Sequence, residues 1–196
     1  MSADGPVEVT DCQPCVMALA QDSNGWLFFF DYNVLPDRLQ VIRQIRVRAP
    51  RSSRDMVLPV ESMLPAEPGG GYRFGGEDLD GDGWRDLVLV TADGGANAYA
   101  DYWRYDPADG SFVALGTLPL LGRDPDSGHL VGLEHGSADG LFFTRTDYGF
   151  ENGELVVLAV EAMLPADDPA KVHRVVQERR QGQLVTTIDV LVPLQG

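Results

Sequence analysis

The chain has 196 residues, a formal net charge of −15 at pH 7 and a sequence pI of about 4.4. So acidic a chain repels nucleic-acid phosphates and anionic lipid headgroups, which excludes both as natural partners and favours cations and basic proteins. The sequence contains no apolar run long enough to span a membrane, and its 22 glycines and 13 prolines favour short strands over long helices.

The N-terminal segment, residues 1–25, holds both cysteines in the sequence Cys12-Gln-Pro-Cys15. No βαβ pattern follows that would support a redox motif, and the histidines lack the spacing of further zinc ligands. A tight local disulfide or two free thiols remain, and we predict the disulfide if the protein is exported. The acidic start lacks the basic and apolar regions of a signal peptide. The protein is therefore either cytoplasmic, or it is exported and this is the sequence of its mature form.

From residue 26 to residue 196, short strand signals alternate with turn signals, which predicts a single all-β domain. The first signal is the aromatic run Trp26–Asp31. The second is the run Leu39–Arg48, in which four apolar side chains are expected on one face: Leu39, Val41, Ile45 and Val47.

The apolar run Leu87–Val90 and the aromatic run Ala98–Tyr105 follow. The last thirty residues predict a hairpin of Val172–Arg179 and Gln183–Val192, joined near Gln181-Gly182. Turn pairs that end in glycine separate the middle strands: Asp93-Gly94, Asp109-Gly110, Asp139-Gly140 and Asn152-Gly153. About twelve short strands in all predict a propeller-like or sandwich-like arrangement of sheets.

Two further patterns bear on internal organisation. Residues 60–67 (VESMLPAE) echo residues 160–167 (VEAMLPAD), which indicates either a duplicated sheet unit, such as a propeller blade, or chance. Six arginines lie between Arg38 and Arg54, and we interpret them as a solvated strand face paired with acidic neighbours.

Residues 78–86 read Asp-Leu-Asp-Gly-Asp-Gly-Trp-Arg-Asp and form the one motif with specific chemistry. Alternating aspartates let a tight loop turn several carboxylates inward, and Gly83 suits the sharp turn that this requires. We predict a calcium ion with five oxygen ligands: Asp78, Asp80, Asp82, the Trp84 carbonyl and Asp86. Without a cation these carboxylates would repel one another, although an ion-free Asp/Gly-rich turn is the alternative.

The loop is not an EF-hand, because Leu89 stands at the twelfth position, where an EF-hand has a bidentate glutamate. Open calcium sites of this kind have dissociation constants of order 10⁻⁴–10⁻³ M, which suits extracellular rather than cytosolic calcium. The loop therefore predicts an exported, periplasmic location and favours the interpretation of the sequence as a mature form.

Residues 75–89 resemble the calcium loop of FG-GAP/VCBS-type repeats, in which a DxDxDGxxDL loop precedes a buried strand. The wider pattern, through Tyr102-Trp103-x-Tyr105-Asp106 and Gly110-x-Phe112, resembles a family of small bacterial periplasmic proteins. Some members are immunity proteins that inhibit lysozyme-like peptidoglycan hydrolases injected by rival cells. The resemblance covers about residues 26–116, and it implies one-to-one binding of a basic hydrolase effector.

Catalysis is not expected. The sequence has no Gly-x-Ser-x-Gly elbow, and His129 and His135 lie in glycine-rich loops. The acidic residues cluster in turns rather than on apolar strands, where a raised pKa would be expected. We therefore predict an immunity protein that inhibits a hydrolase; the alternative is a carbohydrate-binding or adhesion module of a cell-surface assembly.

The predicted contact with the hydrolase is the loop at residues 93–102, which follows the strand next to the calcium site. Asn97 tolerates turn geometry, and Tyr99 and Tyr102 supply large, stiff side chains suited to filling a catalytic cleft. The alternative is that both tyrosines are buried in a sheet.

Overall fold

The structure is a computed structural model that describes residues 18–21, 25–34, 40–50, 55–60, 74–93, 97–136 and 140–194. Within these ranges the chain forms fourteen strands and no helix, so the all-β prediction is confirmed. None of the described segments forms a helix that is long and apolar enough to cross a membrane.

The strands form three sheets, and in each sheet every strand lies beside its neighbour in sequence. The first sheet contains β1 (Ala18–Gln21), β2 (Leu27–Val34), β3 (Gln40–Arg48) and β4 (Asp55–Pro59). The second contains β5 (Phe74–Glu77), β6 (Asp86–Asp93), β7 (Ala98–Asp106) and β8 (Ser111–Pro119). The third contains β9 (Gly122–Arg123), β10 (Leu130–His135), β11 (Phe143–Glu151), β12 (Glu154–Pro165), β13 (Lys171–Arg180) and β14 (Gln183–Pro193).

The chain divides into two compact units. Unit 1 comprises residues 1–92 and 99–117, and it holds the first sheet and most of the second. Unit 2 comprises residues 93–98 and 118–196, and it holds the third sheet. The predicted boundary near residue 26 stays a prediction, because residues 1–17 and 22–24 lie outside the described ranges.

Unit 1 is a sandwich of the first and second sheets around one apolar core. The core side chains come from both sheets: Phe28, Phe30, Ile42, Ile45, Val47 and Leu58 from the first, and Leu87, Leu89 and Trp103 from the second. Leu87 and Leu89 are buried in this core, whereas Val88 and Val90, which alternate with them along β6, are half-buried.

The strand β3 departs from simple alternation. Ile42 is buried together with Ile45 and Val47, although it lies three and five positions before them, where strict alternation would place it on the opposite face. The reason is a bulge opposite Asp31/Tyr32, where one extra residue of β3 reverses the alternation of faces. The single-face assignment made from the sequence was therefore wrong in omitting Ile42.

The arginines of β3 are paired with acids, as predicted for those that the structure describes. Arg46 Nε lies 3.1 Å from Asp31 Oδ2, and Arg48 Nε lies 2.6 Å from Asp55 Oδ1. Both guanidinium groups also lie over the ring of Phe29, at 5.3 and 4.9 Å from its centroid. These contacts hold the charged heads on the outer face of a strand whose opposite face lies in the core.

Unit 2 confirms the predicted C-terminal hairpin. Gln181 and Gly182 have φ angles of 52° and 83°, the left-handed pair that a two-residue turn between β13 and β14 requires. Asn152 and Gly153 make the equivalent turn between β11 and β12, with φ angles of 54° and 81°.

Two sequence predictions fall on residues that the structure does not describe. The cysteine pair Cys12 and Cys15 is one of them, and most of the first copy of the echo, residues 61–67, is the other. The disulfide and the duplication therefore stay predictions.

Candidate metal centre

The aspartate-rich loop connects β5 to β6 and takes its shape from its own side chains. Asp78 Oδ1 accepts a hydrogen bond from the Gly81 amide at 2.7 Å, and Asp78 Oδ2 accepts one from the Gly83 amide at 3.0 Å. Gly81 and Gly83 have φ angles of 80° and 90°, the left-handed region that glycine enters without strain. The sharp turn expected at Gly83 is present.

The loop brings together three carboxylates that could hold a metal ion. Oxygen atoms of Asp78, Asp80 and Asp86 all lie within 4.8 Å of one another. Carboxylate oxygens are hard ligands, which suit a hard divalent cation such as calcium or magnesium.

Asp82 lies outside this group of three. Its Oδ1 accepts a hydrogen bond from the Trp84 amide at 2.8 Å, and its side chain is exposed. The structure therefore brings together three of the four predicted carboxylates. That Asp82 and the Trp84 carbonyl also bind the ion stays a prediction.

Asp86 is the buried member of the cluster, with no exposed surface. Its Oδ2 accepts a hydrogen bond from the Leu79 amide at 2.8 Å, and its Oδ1 accepts one from the Tyr105 amide at 2.7 Å. Burial raises the pKa of Asp86 to about 6, and the negative charges of Asp80 and Asp82 add to the rise, whereas the two amides oppose it. The raised pKa reflects the free-energy cost of holding an ionised carboxylate in this buried position, and a bound cation would offset that cost.

Arg104 on β7 is a member of the site that sequence reasoning missed. Its Nη1 lies 3.5 Å from Asp80 Oδ2, and its side chain is 14% exposed. The arginine thus supplies part of the positive charge that the cluster lacks, beside the position where a cation would bind. Nothing local in the sequence indicates this pairing, because it joins residues that lie 24 positions apart on separate segments.

An aromatic cluster adjoins the loop. Tyr105 contacts three rings, those of Trp26, Trp84 and Phe112, with centroid distances of 5.5, 5.4 and 5.1 Å. Trp84 is 50% exposed, so one end of the cluster presents a tryptophan ring to solvent beside the aspartates.

The residues predicted to contact a hydrolase have different surroundings. Tyr102 is 2% exposed and forms part of the core, so its assignment to a partner contact is corrected: its ring has no surface to offer. Tyr99 is partly exposed, and its carbonyl accepts a hydrogen bond from Thr91 Oγ1 at 3.3 Å.

Asn97 has a structural role within unit 2. Its side-chain amide donates to the His135 carbonyl at 3.0 Å, and its Oδ1 accepts from the His135 amide at 2.6 Å. The side chain thus mimics a strand neighbour at the end of β10, and both polar atoms are already used. Contact between a partner and Asn97 stays a prediction.

Comparison with known proteins identifies one structural likeness. A solved structure described as a Xanthomonas type IV secretion system related protein matches with a TM-score of 0.66 and 13% sequence identity. The match covers 96% of this chain and 99% of the other, so the likeness extends over the whole fold. No family model matches the sequence, and no curated protein matches it.

Proposed function

We propose that the protein is a calcium-stabilised, exported immunity protein that binds and inhibits a lysozyme-like peptidoglycan hydrolase. It acts by binding and is not itself an enzyme. The observation that carries the proposal is the group of three carboxylates, Asp78, Asp80 and Asp86, gathered at the start of β6.

Calcium is the favoured cation for three reasons. The side chains that converge offer oxygen atoms only, the ligand type that calcium takes. The loop is exposed at Asp78 and Asp82, which leaves room for water ligands to complete a coordination number of six to eight. Residues 77–86 hold five carboxylates and one arginine, so the segment carries a net charge of −4 that a divalent ion halves.

The proposed partner is a basic hydrolase. A chain with a net charge of −15 attracts basic proteins over long range and speeds their association. The structural neighbour is described as related to a type IV secretion system, and this supports a setting in which secreted effectors require protein antagonists.

We place the contact at Tyr99. Tyr99 is partly exposed, and its backbone carbonyl accepts a hydrogen bond from Thr91 on β6, so an aromatic residue with few rotatable bonds stands on an anchored strand. An anchored aromatic residue loses little conformational entropy when it enters a cleft, which is the usual property of a binding hot spot. The cation acts indirectly, by fixing the other end of β6.

The test is a turbidity assay in which a basic lysozyme clears a peptidoglycan suspension, with and without the protein. We expect inhibition in millimolar calcium and weaker inhibition in EDTA. Tyr99→Ala should weaken inhibition by about 30-fold, or about 2 kcal/mol, whereas Val113→Ala, at an exposed apolar position on β8, should not. Absence of binding to every member of a panel of lysozyme-like hydrolases would overturn the proposal.

Carbohydrate binding is the second candidate, and Trp84 favours it. Its half-exposed ring packs against Tyr105 and adjoins exposed carboxylates, a combination that can stack on a sugar ring and accept hydrogen bonds from hydroxyl groups. A glycan array tests it: signals that Trp84→Ala abolishes and Tyr99→Ala leaves unchanged would favour this function over hydrolase inhibition.

A further inference from the structure

The outermost strand of the third sheet carries an unusual share of exposed apolar surface. Ten large apolar side chains in the described ranges are at least 40% exposed, and four of them belong to β14: Leu184, Val185, Val190 and Leu191. Within the described part of the chain, β14 pairs with β13 on one side only, so its other edge presents backbone N–H and C=O groups to solvent.

Edge strands are commonly protected from pairing by charged side chains. Over its eleven residues β14 has one charged residue, Asp189, and that residue is paired with His173. The basic side chains of β13 are likewise paired with acids of the same unit: Lys171 with Asp168, Arg174 with Glu161, Arg179 with Glu151 and Arg180 with Glu178. On a chain with a net charge of −15, this edge is a place where another copy can approach with little repulsion.

The register of β14 against β13 fixes which apolar residues share a face. Leu184 and Leu191 lie opposite Arg179 and His173, which are six residues apart on β13 and therefore on one face. By the same argument Val185 and Val190 lie opposite Glu178 and Arg174, on the other face. Leu184 and Leu191 are seven positions apart on β14, and Val185 and Val190 are five apart. Each pair still shares a face, because a bulge adds one residue to β14 at Thr187, between the residues that pair with Val176 and Gln177.

This arrangement is self-complementary. In an antiparallel pair, residues directly opposite one another lie on the same face. If two copies of β14 pair about a two-fold axis between Thr187 and Ile188, Leu184 of one copy faces Leu191 of the other, and Val185 faces Val190. Each pair then lies on one face, and the two bulges coincide at the axis. All four exposed apolar side chains of each copy gain a partner.

We propose that two copies of the chain associate through β14, in this antiparallel register, to join their third sheets into one continuous sheet. Isologous pairing of this kind closes on itself and uses the β14 edge of both copies, so the product is a dimer and not a fibre. One strand from each copy is a small interface, so we expect a reversible dimer with a dissociation constant of about 10–100 μM.

Sedimentation velocity from about 5 to 500 μM, a range that brackets this constant, tests the proposal. We expect the wild-type chain to shift from monomer to dimer, and the double variant Val190→Lys/Leu191→Lys to stay monomeric. Leu133→Lys is the matched control, because Leu133 is 43% exposed on the interior strand β10 and its replacement should leave the dimer intact. A wild-type chain that is monomeric throughout, or a dimer that survives the double variant, overturns the proposal.

Cross-linking tests the register and does not depend on the lysine variants being folded. On a background with Cys12→Ser and Cys15→Ser, Val185→Cys with Val190→Cys places thiols opposite one another across the axis. Within one strand these positions are about 17 Å apart, too far to bond to each other. We expect oxidation to yield a covalent dimer from this pair and not from Leu184→Cys with Val190→Cys, whose thiols lie on opposite faces. Equal yields from both pairs would exclude the proposed register.

Discussion

Asp86 and Tyr105 are joined by a 2.7 Å hydrogen bond from the Tyr105 amide to Asp86 Oδ1, across two strands of the second sheet. The other oxygen of the same carboxylate accepts the Leu79 amide, so one buried side chain connects the aspartate loop, β6 and β7. Asp86 thus supports the architecture of the loop as well as belonging to the carboxylate cluster.

Asp86→Asn should destabilise the fold in EDTA, and more so at pH 4 than at pH 7, because the raised pKa of about 6 makes the ionised Asp86 itself costly to stability as pH rises from about 4 to about 6. The amide group that replaces one oxygen cannot accept a hydrogen bond, so one buried backbone N–H loses its partner at a cost of about 1–3 kcal/mol. Urea unfolding in EDTA at pH 4 and at pH 7 measures the loss. Asp82→Asn is the control, because its carboxylate accepts only an exposed amide, and we expect its midpoint to lie near the wild-type value. Equal midpoints for the two variants at pH 4 would contradict the role of Asp86.

Calcium should raise the thermal stability. With the ion at about 10 mM and a dissociation constant of order 10⁻⁴–10⁻³ M, mass action predicts about 1–3 kcal/mol of stabilisation. For a chain of this size that corresponds to a rise in Tm of about 3–10 °C, measured by circular dichroism against EDTA. Asp78→Asn should abolish most of the rise. A Tm that is the same in EDTA and in calcium would remove calcium from the proposed function.

Arg104→Gln should separate the two ways in which the cluster can be neutralised. Loss of the guanidinium near Asp80 leaves the carboxylates less compensated, so the variant should be less stable than the wild type in EDTA. A cation would then bind without a competing positive charge, and the stabilisation by calcium should grow by about 1 kcal/mol. Arg85→Gln, in the same loop, is the comparison. A calcium response that is smaller in Arg104→Gln than in the wild type would contradict competition between the arginine and the ion.

Asp124 should make the stability of unit 2 depend on acid pH. The Ser127 amide and Arg145, whose Nη2 is 2.8 Å from Asp124 Oδ2, hold the pKa of this carboxyl well below its ordinary value. A lowered pKa stabilises the fold above the ordinary pKa of about 3.9, and the stabilisation disappears as pH falls towards the folded-state pKa.

Asp124→Asn should therefore lower the urea midpoint at pH 7, and its difference from the wild type should shrink progressively below about pH 4. Asp126→Asn, in the same turn, is the control for the change of residue type. A difference that is constant from pH 7 to pH 3 would show that charge at Asp124 is not the cause.

The cysteine pair is tested by counting thiols in denatured, unreduced protein recovered from the periplasm. We expect none, because Cys12 and Cys15 should be bonded to each other in an oxidising compartment. Reduction should change the Tm little, since the closed loop is very short. Two reactive thiols in that preparation would contradict the disulfide.

Local patterns in the sequence predicted those parts of the structure that depend on local contacts. The hairpin of β13 and β14 follows from alternating residues around Gln181-Gly182, and the aspartate loop follows from its glycines. Features that depend on distant neighbours were missed. The bulge that buries Ile42 is set by pairing with β2. For Tyr102 the sequence left contact and burial both open, and the packing of unit 1 decides for burial. The ion pair of Arg104 with Asp80 depends in the same way on how β7 passes the loop.

The neighbour-to-neighbour order of all three sheets has a kinetic consequence. In the described part of the chain, each strand after the first of its sheet pairs with the strand that precedes it, so each such pairing closes only the connection between those two strands. Pairing within each sheet therefore joins residues that are close in sequence, and local pairing favours fast folding. We expect each sheet to be able to assemble strand by strand from its N-terminal strand as successive strands become available. Unpaired strand edges, which can cause aggregation, would then be exposed only briefly.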